Sequence, residues 1–215
     1  MSKDSLRITE IFYSLQGEGK TVGLPTTFIR LTGCPLRCGY CDTEYAFHGG
    51  ETRSIDSIIE EVRSLGSRYI NVTGGEPLAQ KRVLLLMQRL CEEGYNVSLE
   101  TSGAIDVSGV DERVVKILDV KTPASGEVTK NLDKNYGYLS AQDQVKYVIC
   151  NEADFHWSKE HMFEHKLHVK CEVLFSPVQG QLEPRQLADW LLHEKLPVRF
   201  QIQLHKYLWG DVPGK

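Results

Sequence analysis

Three cysteines stand within eight residues, Cys34-Pro-Leu-Arg-Cys38-Gly-Tyr-Cys41, spaced C-x3-C-x2-C. A short loop with that spacing can turn three thiolates toward one point, a donor set suited to a soft metal or an iron-sulfur cluster. Three protein ligands leave one iron of a [4Fe-4S] cube open to an outside ligand, whereas a structural zinc ion normally takes a fourth protein donor. His48 is near enough in sequence to be that donor, so a zinc knuckle on Cys34, Cys38, Cys41 and His48 stands beside the cluster reading.

Other residues capable of chemistry fall in short polar groups. Thr73-Gly74-Gly75-Glu76-Pro77 offers two glycines whose missing Cβ atoms let backbone approach a ligand, and otherwise reads as a plain turn. Glu100-Thr101-Ser102-Gly103 offers a carboxylate and two hydroxyls, a set suited to ribose hydroxyls or to a capped turn. Gln16-Gly17-Glu18 combines an amide, open backbone and a carboxylate, which can pair with the donor and acceptor edge of a fused nitrogen heterocycle. Arg30 suits a bidentate carboxylate contact or a surface ion pair.

The elements that must carry these groups alternate between strand and helix. Apolar and β-branched runs predict strands over Thr26 to Leu31, Tyr69 to Thr73, Tyr95 to Thr101, Val114 to Val120, Gln144 to Ile149, His168 to Phe175 and Arg199 to Gln203. Ser54 is the expected N-cap of a helix on Ile55, Ile58, Ile59, Val62 and Leu65 that stops at Gly66. Further helices are expected over Val83 to Glu93, Ala153 to His165 and Glu183 to Lys195, with Ala124 to Gln142 a loop or short helix. Such alternation implies a parallel sheet with right-handed crossovers, about six βα units of an incomplete TIM-like barrel, in one domain spanning 1–215. The cysteines, Gly-Gly-Glu-Pro, Glu-Thr-Ser-Gly, Lys121-Thr122-Pro123 and Ser176-Pro177-Val178-Gln179 each fall at or just after a strand. In parallel βα folds those strand ends form one active face.

A net charge of -4 gives no electrostatic basis for nucleic-acid binding. The stretch Met1 to Arg7 lacks the apolar core of a signal peptide, and no run approaches a membrane span, so a cytoplasmic location is expected. In that reducing compartment six cysteines argue for metal chemistry over disulfides, with Cys91, Cys150 and Cys171 as small core residues.

The cysteine loop, with Tyr40 before its third cysteine, resembles the radical S-adenosylmethionine (SAM) superfamily. With Leu15-Gln16-Gly17-Glu18-Gly19, Phe28-Ile-Arg30-Leu-Thr-Gly-Cys34-Pro, Cys41-Asp42-Thr43, Thr-Gly-Gly-Glu-Pro, Glu-Thr-Ser-Gly and Gln203-Leu-His-Lys-Tyr-Leu, the chain is similar to the 7-carboxy-7-deazaguanine synthase family of the queuosine pathway. The resemblance implies a carbon-nitrogen lyase that rearranges 6-carboxy-5,6,7,8-tetrahydropterin to 7-carboxy-7-deazaguanine with loss of ammonia, using a [4Fe-4S] cluster, SAM and Mg2+. It implies Cys34, Cys38 and Cys41 as cluster ligands and Thr43 as a Mg2+ ligand, with Asp42 in support. For SAM it implies Tyr40, Gly75, Glu76, Glu100, Ser102, Lys121, Thr122, Pro123, Ser176, Pro177, Val178 and Gln179. Leu15, Gln16, Gly17, Glu18, Arg30, Thr73 and His205 are implied for the substrate. Where many relatives have Ser-Pro-Lys after the fourth strand, this chain has Lys121-Thr122-Pro123, and the segment between Cys41 and Ser54 is short. A homodimer and a flavodoxin-like electron donor are implied partners. Two other classes bear on the cysteine loop: a glycyl-radical activating enzyme, which would form a stable complex with a large protein, and a noncatalytic zinc module.

Overall fold

The computed structural model describes residues 4–210 and 212–215. Met1 to Lys3, part of the stretch read for a signal peptide, and Asp211 of the tail lie outside the described residues.

The chain opens with an antiparallel hairpin of β1 (Ser5–Leu15) and β2 (Pro25–Leu31). A short strand, β3 (Glu51–Ser54), pairs with the outer side of β1. From β2 onward every strand is parallel to its neighbour: β4 (Tyr69–Gly74), β5 (Asn96–Thr101), β6 (Val115–Val120), β7 (Gln144–Ile149), β8 (Glu172–Pro177) and β9 (Arg199–Phe200). The sheet order β3-β1-β2-β4-β5-β6-β7-β8-β9 never closes on itself, so this is an incomplete barrel with two edges.

Helices α1 (Ile55–Leu65), α2 (Val83–Glu92), α3 (Glu152–Glu164), the single turn α4 (Leu167–Lys170) and α5 (Pro184–Glu194) form the crossovers, and α6 (Leu204–Trp209) follows β9. The expected caps of α1 are present: Ser54 accepts a hydrogen bond from the Ser57 amide, and Gly66 takes the left-handed conformation at φ 69°. Ile55, Ile58, Ile59 and Val62 on its inner face are buried against the sheet. Each contributes about 1.5–3 kcal/mol by leaving water, so the amphipathic period, rather than intrinsic propensity, holds the helix in place.

Two expected strands are corrected, and two strands lie where none was expected. No strand was expected over the residues of β1 or of β3. The strand expected from His168 starts instead at Glu172, because Lys166 in a left-handed conformation turns Leu167–Lys170 into a helical turn that buries Leu167. The last strand keeps only Arg199–Phe200, after which the chain turns away to return over the hairpin. The stretch expected as a loop or short helix after β6 is in keeping with that expectation, holding three 3-10 turns, Pro123–Ser125, Val128–Lys130 and Asp133–Tyr138. Cys150 and Cys171 are buried, in keeping with core roles.

Candidate active site

A cleft of about 770 Å³ opens at the C-terminal ends of the parallel strands, and one end of it is the cysteine loop. The loop is launched from the end of β2 and held by backbone contacts: the Gly33 carbonyl accepts from the Glu76 amide at 2.8 Å, and the Gly39 amide donates to Ser125 at 3.0 Å. Here the paired glycines have a visible purpose. A Cβ at Gly75 would stand 2.3 Å from the Gly33 oxygen, and one at Gly74 would stand 2.4 Å from the Leu31 oxygen. Only glycine lets the end of β4 lie against the root of the cysteine loop.

Cys34, Cys38 and Cys41 are free, half-buried thiols lining the cleft. Burial pushes all three up, Cys38 to about 11, so a bound cation must displace their protons. Their sulfurs are not gathered within 4.8 Å of one another. A single zinc ion with bonds near 2.3 Å would bring its sulfurs to roughly 3.8 Å. A cube that gives each cysteine its own iron takes sulfurs farther apart, and His48 lies exposed outside the cleft. The donor set therefore fits a three-cysteine cluster better than a zinc knuckle.

Across the cleft, the β1-β2 turn presents Leu15, Gln16, Gly17 and Glu18. The Gln16 amide and carbonyl close this turn on Leu24 and Gly23. The Gln16 side-chain oxygen accepts from the Glu18 amide, while its Nε2 is buried with no hydrogen-bond partner. An unpaired buried donor at a cleft wall is a group prepared for a ligand's acceptor. Arg30 donates through Nε to Glu10 at 2.7 Å, and Tyr45 donates to the same carboxylate oxygen at 2.8 Å. Thr73, paired with Arg30 in the β2-β4 register, is buried beside it.

A line of charges crosses the cleft floor. Lys121 pairs with Asp119 at 3.1 Å, Asp119 stands 3.7 Å from Lys146, and Lys146 pairs with Glu18 at 2.6 Å. Burial opposes the charge on Glu18, but Lys146 outweighs it and holds the carboxyl below its ordinary value. Glu100, hydrogen-bonded by Asn71 at 3.1 Å, is instead pushed up by burial, with Lys146 opposing and Glu18 adding to the rise. Two carboxyls on one wall are thereby driven apart in proton affinity. Lys121 lies 5.9 Å from the Tyr40 ring, and its ammonium is held above its ordinary value by Asp119 against desolvation.

The far end of the chain completes the wall. The Leu204 amide donates to the Gly17 carbonyl at 3.0 Å, Gln203 donates to Glu18 at 2.8 Å and to Asp42 at 3.1 Å, and Lys206 pairs with Asp42 at 2.9 Å. Asp42 also accepts from the Thr43 hydroxyl at 2.8 Å. The His205 ring packs on Gly17, where a Cβ would come within 2.0 Å of Nδ1, and burial holds this imidazole below its ordinary value.

Not every expected contact reaches the cleft. Leu15, Gln16, Gly17, Glu18, Arg30, Tyr40, Thr43, Thr73, Gly75, Glu100, Ser102, Lys121, Val178, Gln179 and His205 line it together with the cysteines. Glu76, Thr122, Pro123, Ser176 and Pro177 do not. Glu76 is fully buried and saturated: it accepts from the Leu78 amide, from the Thr101 hydroxyl and from both the amide and hydroxyl of Ser102. Its carboxylate fastens the end of β4 to the end of β5. Thr122 is likewise turned inward, to the Asp154 carboxylate at 3.0 Å. Ser176 and Pro177 are buried and Pro123 opens a 3-10 turn, none of them lining the cleft. Sequence reasoning missed Lys146 and Asp119, although a lysine or aspartate inside a central parallel strand is itself a signal, because burial there demands a partner.

A model of the radical SAM superfamily matches residues 28–123. A 7-carboxy-7-deazaguanine synthase from Chlorobaculum tepidum is 44% identical over 208 residues, 95% of this chain and 94% of that relative. One from Koribacter versatilis is 42% identical, covering 95% and 97%. Among solved structures, QueE from Escherichia coli superposes with a TM-score of 0.78 at 22% identity, covering 94% of this chain and 95% of that one. Streptococcus suis SuiB bound to S-adenosylmethionine has a TM-score of 0.56 at 13% identity, over 80% of this chain and 45% of that one. The last two share the incomplete barrel. With relatives at this identity along nearly the whole chain and the superfamily model on the segment that carries the cysteines, the chain belongs to the 7-carboxy-7-deazaguanine synthase family of radical SAM enzymes.

Proposed function

We propose that the chain converts 6-carboxy-5,6,7,8-tetrahydropterin to 7-carboxy-7-deazaguanine and ammonia, as a lyase of 7-deazapurine and queuosine biosynthesis. The observation that carries this reading is the wall opposite the cysteines, where the orphaned Gln16 Nε2, the ionised Glu18 and Arg30 face one cleft. Substrate equals product plus ammonia, so the overall step consumes no oxidant or reductant and SAM is regenerated. When bound to Cys34, Cys38 and Cys41, the cluster supplies the electron that makes SAM a radical source.

The chain's own residues bind and orient. Arg30 spends Nε on Glu10, leaving its two terminal nitrogens for the substrate carboxylate. Glu18 accepts from the N–H edge of the pterin, and Gln16 Nε2 donates to an acceptor on the same edge. Glu100, whose proton affinity burial raises, stands at the wall between the two binding zones. Thr73 and His205 pack the substrate side. Tyr40, Gly75, Ser102, Lys121, Val178 and Gln179 form the SAM side, with Glu76, Thr122, Pro123, Ser176 and Pro177 supporting them from behind. Thr43, held by Asp42, is the protein ligand for Mg2+, whose shell substrate oxygens and water complete. The enzyme acts in the cytoplasm as one domain and as a homodimer, with a flavodoxin-class electron donor.

The test is an anoxic reaction of cluster-loaded protein with SAM, a reductant, Mg2+ and 6-carboxytetrahydropterin, analysed by mass for 7-carboxy-7-deazaguanine. SAM-dependent product supports the reading. Formation of 5'-deoxyadenosine alone would leave the radical chemistry standing and the substrate wrong.

A further inference from the structure

On the outer helical layer, away from the cleft, a second group of metal-ligating side chains converges. His161 lies on α3, His165 caps its C-terminus one turn later, and Asp133 reaches them from the 3-10 turn Asp133–Tyr138. One ligand atom from each lies within 4.8 Å of the other two. None of the three lines the catalytic cleft.

The ring of His161 is already oriented. Its Nδ1 is 2.8 Å from the hydroxyl of Tyr147, a fully buried side chain, and its Nε2 is 3.3 Å from the hydroxyl of Tyr136. An Nδ1–H donated to Tyr147 leaves the Nε2 lone pair as the ligand, the arrangement that usually fixes a metal-bound histidine. Burial and the neighbouring His165 hold His161 down, to about 4, so the imidazole is neutral and able to ligate at physiological pH. Tyr136 also engages the Asp133 carboxylate, so the two tyrosines account for His161 and for one contact of Asp133, but not for a second imidazole arriving at the same place. His165 Nε2 and Asp133 Oδ2 stand 4.0 Å apart, too far for a hydrogen bond. In a four-coordinate shell with bonds of about 2.0–2.1 Å two ligand atoms stand roughly 3.3–3.4 Å apart, so this pair closes by about 0.6 Å to share an ion. Both side chains retain exposure, 26% for His165 and 62% for Asp133, and so have room to adjust.

We propose that Asp133, His161 and His165 bind one transition-metal ion of the Zn2+ class, with water completing a four-coordinate shell and the ion tying the 3-10 turn to α3. Two imidazoles and one carboxylate favour such an ion over Mg2+ or Ca2+, which take oxygen shells.

The probe is Zn2+ itself, added anoxically to protein whose cluster content has been verified by iron and sulfide analysis, so that Cys34, Cys38 and Cys41 are occupied. Calorimetric titration and elemental analysis after gel filtration should show one retained equivalent, and zinc should raise the melting temperature. Asp133→Ala and His165→Ala, both at exposed or half-exposed positions, should each weaken zinc binding at least tenfold, with cluster content unchanged and no zinc-dependent rise in melting temperature. His161→Gln tests the buried ligand only if its circular dichroism matches wild type, so the two outer variants decide the matter. Zinc uptake by the Asp133→Ala/His165→Ala protein equal to that of wild type, or no uptake by either, would overturn the proposal.

Discussion

Replacing Lys146 with methionine isolates what the charge line contributes. The ammonium is buried and bonded to Glu18 at 2.6 Å, with side-chain exposures of 9% and 12%, so little solvent screens the pair. Without Lys146, Glu18 can stay ionised without its counter-charge, which costs about 3–5 kcal/mol. Alternatively it can take up a proton, which at pH 7, starting from an unfolded value near 4.3, costs about 1.4 × 2.7, or roughly 4 kcal/mol. The chain takes the cheaper route, and the expected loss is about 3–4 kcal/mol. The two proteins respond to pH differently. In wild type Glu18 is held below its ordinary value, so its stabilisation is complete above the unfolded value and is lost only as pH falls through the lower folded value. In the variant the carboxyl's folded value is raised, so its cost grows by up to about 1.4 kcal/mol per pH unit as pH rises above the unfolded value. The gap between the proteins should shrink to about 1–2 kcal/mol at pH 5. Urea unfolding followed by circular dichroism at both pH values, on proteins in the same cluster state, measures it. The double variant Glu18→Gln/Lys146→Met, with no charge left to strand, should recover most of the loss. A gap below 1 kcal/mol at pH 7, or one that does not change by pH 5, refutes the reasoning.

Three further predictions concern single contacts. Arg30→Lys keeps the charge but loses the fork, so KM for the carboxylated pterin should rise about 10- to 100-fold, matching one charge-assisted bond of roughly 1.5–3 kcal/mol; an unchanged KM removes Arg30 from the substrate site. Thr43→Ala should weaken the dependence of turnover on Mg2+, and an identical Mg2+ titration would dismiss that ligand. Gly75→Ala places a methyl 2.3 Å from the Gly33 oxygen and should cost about 1–3 kcal/mol, seen as a lower melting temperature and less iron per chain after reconstitution. Normal values for both would mean that the end of β4 can move away without disturbing the cysteine loop.

The parts of the site legible in the sequence are those whose placement depends on local pattern. A strand followed by Gly-Gly or by three cysteines announces a strand end, and in a parallel βα sheet all such ends share one face. The parts that were hidden depend on partners far along the chain. Lys146 in an apolar run gave no hint of Glu18, which is 128 residues away. The partners that satisfy Glu76, Thr101 and Ser102, come 25 and 26 residues later. β1 went unread because its alternation of Leu6 and Ile8 is broken by a register shift between Ile8 and Glu10, beyond which Ile11 to Leu15 are partly buried or, at Tyr13, exposed along the hairpin.

The contacts that join Gln203 and Leu204 to Glu18 and Gly17 also govern when the site can exist. Gln203 and Glu18 are 185 positions apart, and the Gly19 amide donates a second tie to the Gln201 side-chain oxygen across 182. During synthesis the cysteine loop, the glycine pair and the β1-β2 turn all emerge long before residues 201–206. A chain interrupted before them can hold three cysteines and a partial sheet, yet it lacks the wall that fixes Glu18 and Asp42. Cluster acquisition and substrate binding are therefore separable in time, and the capacity to direct a radical arrives only when the last strand and the helix after it have been made.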